Sequence, residues 1–272
     1  DVEQRLEQEL KRDYHIITAG KRLDQVARDF VRHYSMAWET GKAMLVCIDK
    51  VTCLRMHKLI EFYWNERIRE LERELPSAGD EQDEQYLLRQ IEWMRQTQAA
   101  VVVSEEQGEM EKFRKWDLDI TPHRRLIKEG IALPEAMRKQ PRFQNMQRLS
   151  LEEAFKTEEH PFRIALVCAM WLTGFDVPSL STLYLDKPLK AHTLMQAIAR
   201  ANRVNEGKNN GMIVDYCGIL KNLRQALATF AGVGDGGRGG EGGETEPARP
   251  KEELLADLRE AIGFVRSFLE ER

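Results

Sequence analysis

The chain has 272 residues, room for one large α/β domain with appendages or for two small domains. Its hydrophobic fraction of 42% is ordinary for a globular fold, and no apolar run approaches the ~18–20 residues of a membrane span, which excludes a helical membrane protein. A formal charge of −4, from 41 Lys and Arg against 45 Asp and Glu, excludes a uniformly basic nucleic-acid binder but averages over local asymmetry.

Residues 1–40 read as a charged helical segment, an N-terminal arm or inter-lobe linker. The opening Asp-Val-Glu-Gln-Arg-Leu-Glu-Gln has neither the basic start nor the apolar core of a secretory signal, and the initial Asp reads as a piece of a longer polypeptide. Val26, Phe30, Val31 and Tyr34 recur at helical spacing, so this segment packs on the domain after it. The run 43–48 after Gly41 predicts a buried parallel strand, and Asp49 predicts the cap of a helix carrying Cys53, Met56, Leu59, Ile60 and Tyr63. Residues 65–75 and 81–98 predict two charged helices broken by Pro-Ser-Ala-Gly-Asp, a helical hairpin inserted at about 65–98. Further strands are expected at 99–104, 162–168, 181–185 and 211–215. Helices are expected at 193–201 and 219–230, while 117–150 show no clear period. Strands alternating with helices imply an α/β fold with a mainly parallel sheet covered on both faces, spanning 41–231. Eight of the eighteen glycines fall between Gly232 and Gly243, so 232–250 predicts a flexible linker, and 251–272 an amphipathic C-terminal helix that starts a helical domain.

Local charge and reactive groups are uneven. Between Arg124 and Arg148 seven Lys and Arg face two Glu, with His123 just before them. This stretch is either a solvated basic loop or a phosphate-facing stripe led by Arg124, Arg125 and Lys128. The cysteines (Cys47, Cys53, Cys168, Cys217) form no C-x-x-C pair, which predicts free thiols in a reducing cytoplasm rather than disulfides, and neither they nor the six histidines show metal-ligand spacing. No bound metal is expected from the chain alone. The five tryptophans sit at core-like helical positions and are assigned to packing.

Near the end stands Gln196-Ala-Ile-Ala-Arg200-Ala-Asn-Arg203, in which two arginines three apart share one helix face. Their guanidinium forks suit phosphoryl oxygens. Upstream, Thr173-Gly174-Phe175-Asp176-Val177-Pro178 follows an apolar strand and presents an acidic group able to hold a ribose hydroxyl. Taken alone, each has a plain reading, as a surface helix with solvated arginines and as an ordinary turn. Together they look like motifs V and VI of a superfamily 2 helicase or translocase. With Leu183-Tyr-Leu-Asp-Lys-Pro-Leu between them, the run from Leu172 to Val204 resembles the motor (R) subunit of type I restriction enzymes, a resemblance covering roughly residues 20–230.

The resemblance implies the second RecA-like lobe of an ATP-dependent duplex-DNA translocase in a type I restriction endonuclease. It implies Arg203 as the arginine finger with Arg200 second, and Gln196, Gly174 and Asp176 as nucleotide contacts. Thr173 and Ser104 become phosphate contacts at strand ends, with 43–49 in the place of motif IV. Cys168-Ala169 departs from the polar or acidic pair usual there. The sequence has neither a G-x-x-x-x-G-K-[ST] loop nor an Asp-Glu box nor a nuclease cluster, so the fragment alone is expected to be inactive and to bind no cofactor. ATP and Mg²⁺ would act in the full subunit. The expected partners are the DNA backbone, the first RecA-like lobe and nuclease domain, and the modification and specificity subunits, with no membrane involved. The alternative is a non-enzymatic α/β binding module whose arginine helix holds an anion or a protein.

Overall fold

The computed structural model describes residues 12–172, 177, 179–189, 193, 194, 196, 197 and 211–220. Helix α1 (12–17) leads into α2 (Gly20–Met36), and strand β1 (Lys42–Cys47) begins the sheet. Then come α3 (Lys50–Glu74), α4 (Glu81–Gln96), β2 (Gln98–Val102), α5 (Glu109–Arg114), α6 (Thr121–Glu129), β3 (Ile131–Ala132), α7 (Glu135–Arg138), β4 (Arg148–Leu149) and α8 (Leu151–Lys156). Strands β5 (Phe162–Val167), β6 (Leu180–Asp186) and β7 (Met212–Asp215) complete the described elements.

Five strands form one sheet in the order β2-β5-β1-β6-β7, every pairing parallel. The two-residue period of a strand sorts its side chains cleanly. Ala43, Leu45, Cys47, Val101, Ile164, Leu166 and Tyr184 enter one core with α2, α3 and α4. Met44, Val46, Ala100, Val102, Ala165, Val167, Leu183 and Leu185 enter a second core with α8 and the β3–β4 pair. Both faces are therefore covered, and β1 and β6 are buried along their whole length. Lys42 shares that burial at 1% exposure. Its Nζ donates to the carbonyls of Ala154 and Thr157, 2.7 and 2.6 Å away, at the C-terminal end of α8. A cation suits that negative helix end. Burial nonetheless pulls its pKa down to about 7.

Asp49 caps α3 as expected, accepting from the Thr52 amide at 2.7 Å. The helix begun at Asp49 and the helix expected at 65–75 are one: α3 runs unbroken for 25 residues. Trp64, Ile68 and Leu71 continue its apolar stripe at i, i+4 and i+7 into the charged stretch. Pro76 lies in the 3₁₀ turn Leu75–Ser77 that ends it, and Asp80 caps α4 through the Gln82 and Asp83 amides. Ile91 and Met94 bury the inner stripe of α4. The helices of 65–98 lie in the β1–β2 connection, α3 reaching back to Lys50 and α4 following after the turn. The stretch 117–150, without a clear period in sequence, holds α6, α7 and the antiparallel pair Ile131–Leu149 and Ala132–Arg148. Two-residue strands are too short to leave a periodic trace. The expected elements at 198–201, 221–230 and 251–272, and the linker 232–250, lie outside the described residues, as do residues 1–11.

Strand β2 is an edge, and its outward backbone groups are met by side chains instead of another strand. The Val101 amide donates to His123 Nδ1 at 3.3 Å, and His57 Nε2 donates to the Ala99 carbonyl at 3.4 Å. The two rings meet edge to face, centroids 4.5 Å apart. Burial lowers both pKa values, that of His123 to about 4 with help from His57 and Arg124; Asp119 opposes the shift at His123, and Glu61 and the bond to the Ala99 carbonyl oppose it at His57. His160 accepts from the Phe162 amide and is lowered to about 4, again mainly by burial. A histidine whose folded pKa lies below its ordinary 6.5 is protonated first in the unfolded chain. Its contribution is therefore whole above pH 6.5 and is lost as the pH falls toward 4. The urea midpoint should fall through that window. His123→Asn, which keeps an acceptor that does not titrate, should make the fall shallower. Identical slopes for the two proteins would show that His123 is not among the groups responsible.

Candidate functional site

Open parallel sheets bind their ligands beyond the carboxyl ends of the strands. Those ends here carry Asp49 and Lys50 after β1, Ser104 after β2, Cys168 after β5, Asp186 and Lys187 at β6, and Asp215 at β7. Lys50 pairs with Glu106 at 3.3 Å, and Glu106 also takes Lys112 at 2.7 Å. Lys187 Nζ donates to the Cys168 carbonyl at 2.7 Å, bridging the ends of β6 and β5 across β1. Asp215 turns the chain after β7 by accepting from the amides of Cys217 and Leu220. A cavity of about 490 Å³ opens over β1, β2 and β5, lined by Tyr14, Asp49, Lys50, Lys112, Trp116 and Cys168 among others.

The N-terminal segment is fastened to these ends. Arg22 at the start of α2 reaches Asp186 at 2.6 Å and the carbonyls of Tyr216 and Ile17 at 3.1 and 3.0 Å. Asp186 is 0% exposed; burial pushes its pKa up while Arg22 draws it down, and its Oδ2 has no hydrogen-bond partner. Tyr14 donates to Asp49, and burial with that bond raises the phenol pKa to about 12. Arg55 Nη1 donates to the Thr18 carbonyl at 2.8 Å, and Tyr216 donates to Asp29 at 2.7 Å. The ends of β1 and β6, and the turn after β7, thus hold residues 14–29 by polar contacts.

The residues expected to carry chemistry are distributed unevenly. Thr173, Gly174, Asp176, Arg200 and Arg203 lie outside the described residues. Their flanks are placed: Leu172 and Val177 on one side, Leu194 and Ala197 on the other, are buried in the same core under the sheet. Gln196 is half-buried in that second stretch. Ser104 is exposed after β2.

The basic stripe divides, and Arg124 is a correction. It is buried, its Nε and Nη2 paired with Glu109 through bonds of 2.8 and 2.7 Å, while Nη1 donates to the Val103 carbonyl and Nη2 also to that of Ser104. It finishes the β2 edge that His123 and His57 cover, and is not free for a duplex. Arg125 and Lys128, by contrast, stay exposed at 69% and 65%, beside Glu129 and Glu105 at 4.0 and 3.7 Å. Trp116, assigned to packing, is another departure: it is 55% exposed with the Arg55 guanidinium 4.8 Å over its ring. No group of three or more His, Cys, Asp or Glu fit to hold a metal occurs among the described residues. The Arg22–Asp186 pair had no sequence signal beyond an acid closing an apolar strand.

Removing one partner of a buried pair strands the other charge. Arg22→Ala should therefore cost about 3–5 kcal/mol in urea denaturation, and adding Asp186→Asn should restore much of it. A loss below about 1 kcal/mol would make the contact an ordinary surface ion pair.

Comparison with known proteins converges on one family. A family model described as type I restriction enzyme subunit R domain 3 matches residues 83–218, half of the chain. The chain is 38% identical over 128 residues to the HindI type I restriction enzyme endonuclease subunit of Haemophilus influenzae, covering 46% of this chain and 11% of that protein. It is 32% identical over 211 residues to a Methanocaldococcus jannaschii protein assigned as the MjaIXP endonuclease subunit, covering 77% and 15%. A solved fragment assigned as an HsdR subunit of a type I restriction enzyme from Vibrio vulnificus YJ016 aligns with 74% of this chain and 28% of its own, at 16% identity and a TM-score of 0.42. The chain spans between a tenth and a sixth of the two curated relatives.

Proposed function

The chain belongs to the type I restriction enzyme R-subunit family, its residues 83–218 matching domain 3, and we propose that it is the second RecA-like lobe of that subunit's ATP-driven duplex-DNA motor. The observation that carries the reading is where the chain leaves the sheet. The segment 173–178 follows the carboxyl end of β5 and the segment 190–203 that of β6, and these two strands flank β1. In a parallel sheet the ligand crevice lies beyond the carboxyl ends of the strands. The two segments hold the residues that resemble motifs V and VI.

On this reading Arg203, with Arg200 second, reaches a phosphoryl group held by the first lobe, and Gln196, Gly174 and Asp176 contact the nucleotide. Mg²⁺ and the phosphate loop would belong to the first lobe. An always-charged fork placed where negative charge develops lowers the barrier without needing to tighten ground-state binding. Duplex contact would be made by Thr173, Ser104, Arg125 and Lys128, which grip phosphate without reading bases. The nuclease domain and the modification and specificity subunits would supply cleavage and sequence choice.

In the complete subunit, Arg203→Ala should lower DNA-stimulated ATP turnover by ~10³–10⁵ while changing ATP affinity far less. An unchanged kcat would reject Arg203 as the finger and promote Arg200.

Changing Arg125 and Lys128 together to Ala should weaken duplex binding equally for unrelated sequences. It should also flatten the log–log salt slope by up to ~1.8, for two lost phosphate contacts. An unchanged slope would leave α6 as a solvated surface.

A further inference from the structure

Three thiols stand together at the carboxyl end of the sheet. The register of β1 on β5 pairs Val46 with Val167, so the next residues, Cys47 and Cys168, are side by side on neighbouring strands. Both belong to the core beneath α3, as does Cys53 in the first turn of that helix. The Cys53 thiol interacts with both, and all three are free.

Their environments differ. Cys47 and Cys53 are 0% exposed, whereas Cys168 is 8% exposed and lines the cavity of about 490 Å³ shared with Lys50, Lys112 and Lys115. The Cys53 thiol, then Lys187 and Lys50, favour the Cys168 thiolate against its burial and Asp49, lowering its pKa to about 7. Full burial raises that of Cys53. The arrangement joins a thiol at the cavity wall, drawn toward its thiolate, to a fully buried, protonated one behind it, the usual pairing of an attacking and a resolving cysteine.

We propose that Cys168 is an oxidation site resolved by Cys53, so that a small hydroperoxide entering the cavity converts the two thiols into a disulfide. The Cys168 sulfur attacks one peroxide oxygen and the O–O bond breaks. The departing oxygen takes a proton and leaves as water or alcohol, with Cys168 as a sulfenic acid. The Cys53 sulfur then displaces the sulfenic hydroxyl, which leaves as water with the Cys53 proton, and the S–S bond forms. Two thiols lose two electrons and the peroxide gains two. Cys47 is the poorer partner because side chains leave adjacent parallel strands with their Cβ vectors aligned, whereas Cys53 approaches from the helix layer above. The bond would tie the first turn of α3 to the end of β5, just before residues 173–178. None of this depends on the motor reading.

The test uses the complete R subunit treated with hydrogen peroxide, alkylated, digested with trypsin and analysed by mass spectrometry. The expected product joins the peptide holding Cys53 to the peptide holding Cys168 and is released by dithiothreitol. In Cys53→Ser the link should disappear and dimedone should trap a sulfenic acid on Cys168. In the untreated wild-type protein, iodoacetamide at neutral pH should label Cys168 before Cys47 and Cys53, a measurement that needs no variant to fold. Recovery of Cys168 and Cys53 as free thiols after peroxide, a link to Cys47 instead, or labelling of Cys53 ahead of Cys168 would overturn the proposal.

Discussion

A strand with neighbours on both edges and layers on both faces is shut off from water, as β1 is here, with β6 beside it. Every polar group it carries must be answered inside the protein. Lys42 at its start is answered by the end of α8, and Asp49 beyond its end by the first turn of α3. The two cores arise from the same constraint. Alternate side chains of β1 demand apolar partners above and below, and α3 with α4 on one side and α8 with the β3–β4 pair on the other provide them. The residues left free to do chemistry are those past the strand ends, where backbone regularity stops.

That geometry explains why residues 14–29 matter to a site they do not form. They close over the ends of β1, β6 and β7 through the polar contacts of Tyr14, Arg22, Arg55 and Tyr216, while Leu23, Val26 and Ala27 pack into the core. Burial holds the Arg22–Asp186 pair in one arrangement, because separating it would strand a carboxylate that already has one unanswered oxygen. The segment leaving β6 beyond Asp186 is the one that carries Gln196, Arg200 and Arg203.

Much of the sheet is legible in the sequence because a parallel strand buried on both faces is written as a continuous apolar run. The run 43–48 is β1 to within one residue, and Lys42 escapes such a reading because charge masks a buried position. Strand order is not legible: nothing local says that β5 comes to lie between β2 and β1. Composition divides the 25-residue α3 at 64, where it turns highly charged, although Ile68 and Leu71 carry the apolar stripe onward. In the site, composition counts the cations of α6 but cannot say which way they point. His123 and Arg124 face the β2 edge while Arg125 and Lys128 face outward, a distinction set by packing. The gathering of Cys47, Cys53 and Cys168 depends on the register of two strands distant in sequence, and no spacing rule reports that.

That this lobe completes a motor whose other half holds the nucleotide is tested most directly by steady-state ATP hydrolysis. The measurement uses the complete R subunit in its restriction complex, with and without linear duplex DNA. Turnover should rise strongly when duplex is added, and further with its length, beyond what the recognition sequence alone would bind. Turnover indifferent to duplex DNA, or absent from the complete subunit, would contradict the motor and leave the arginine helix as a binding element.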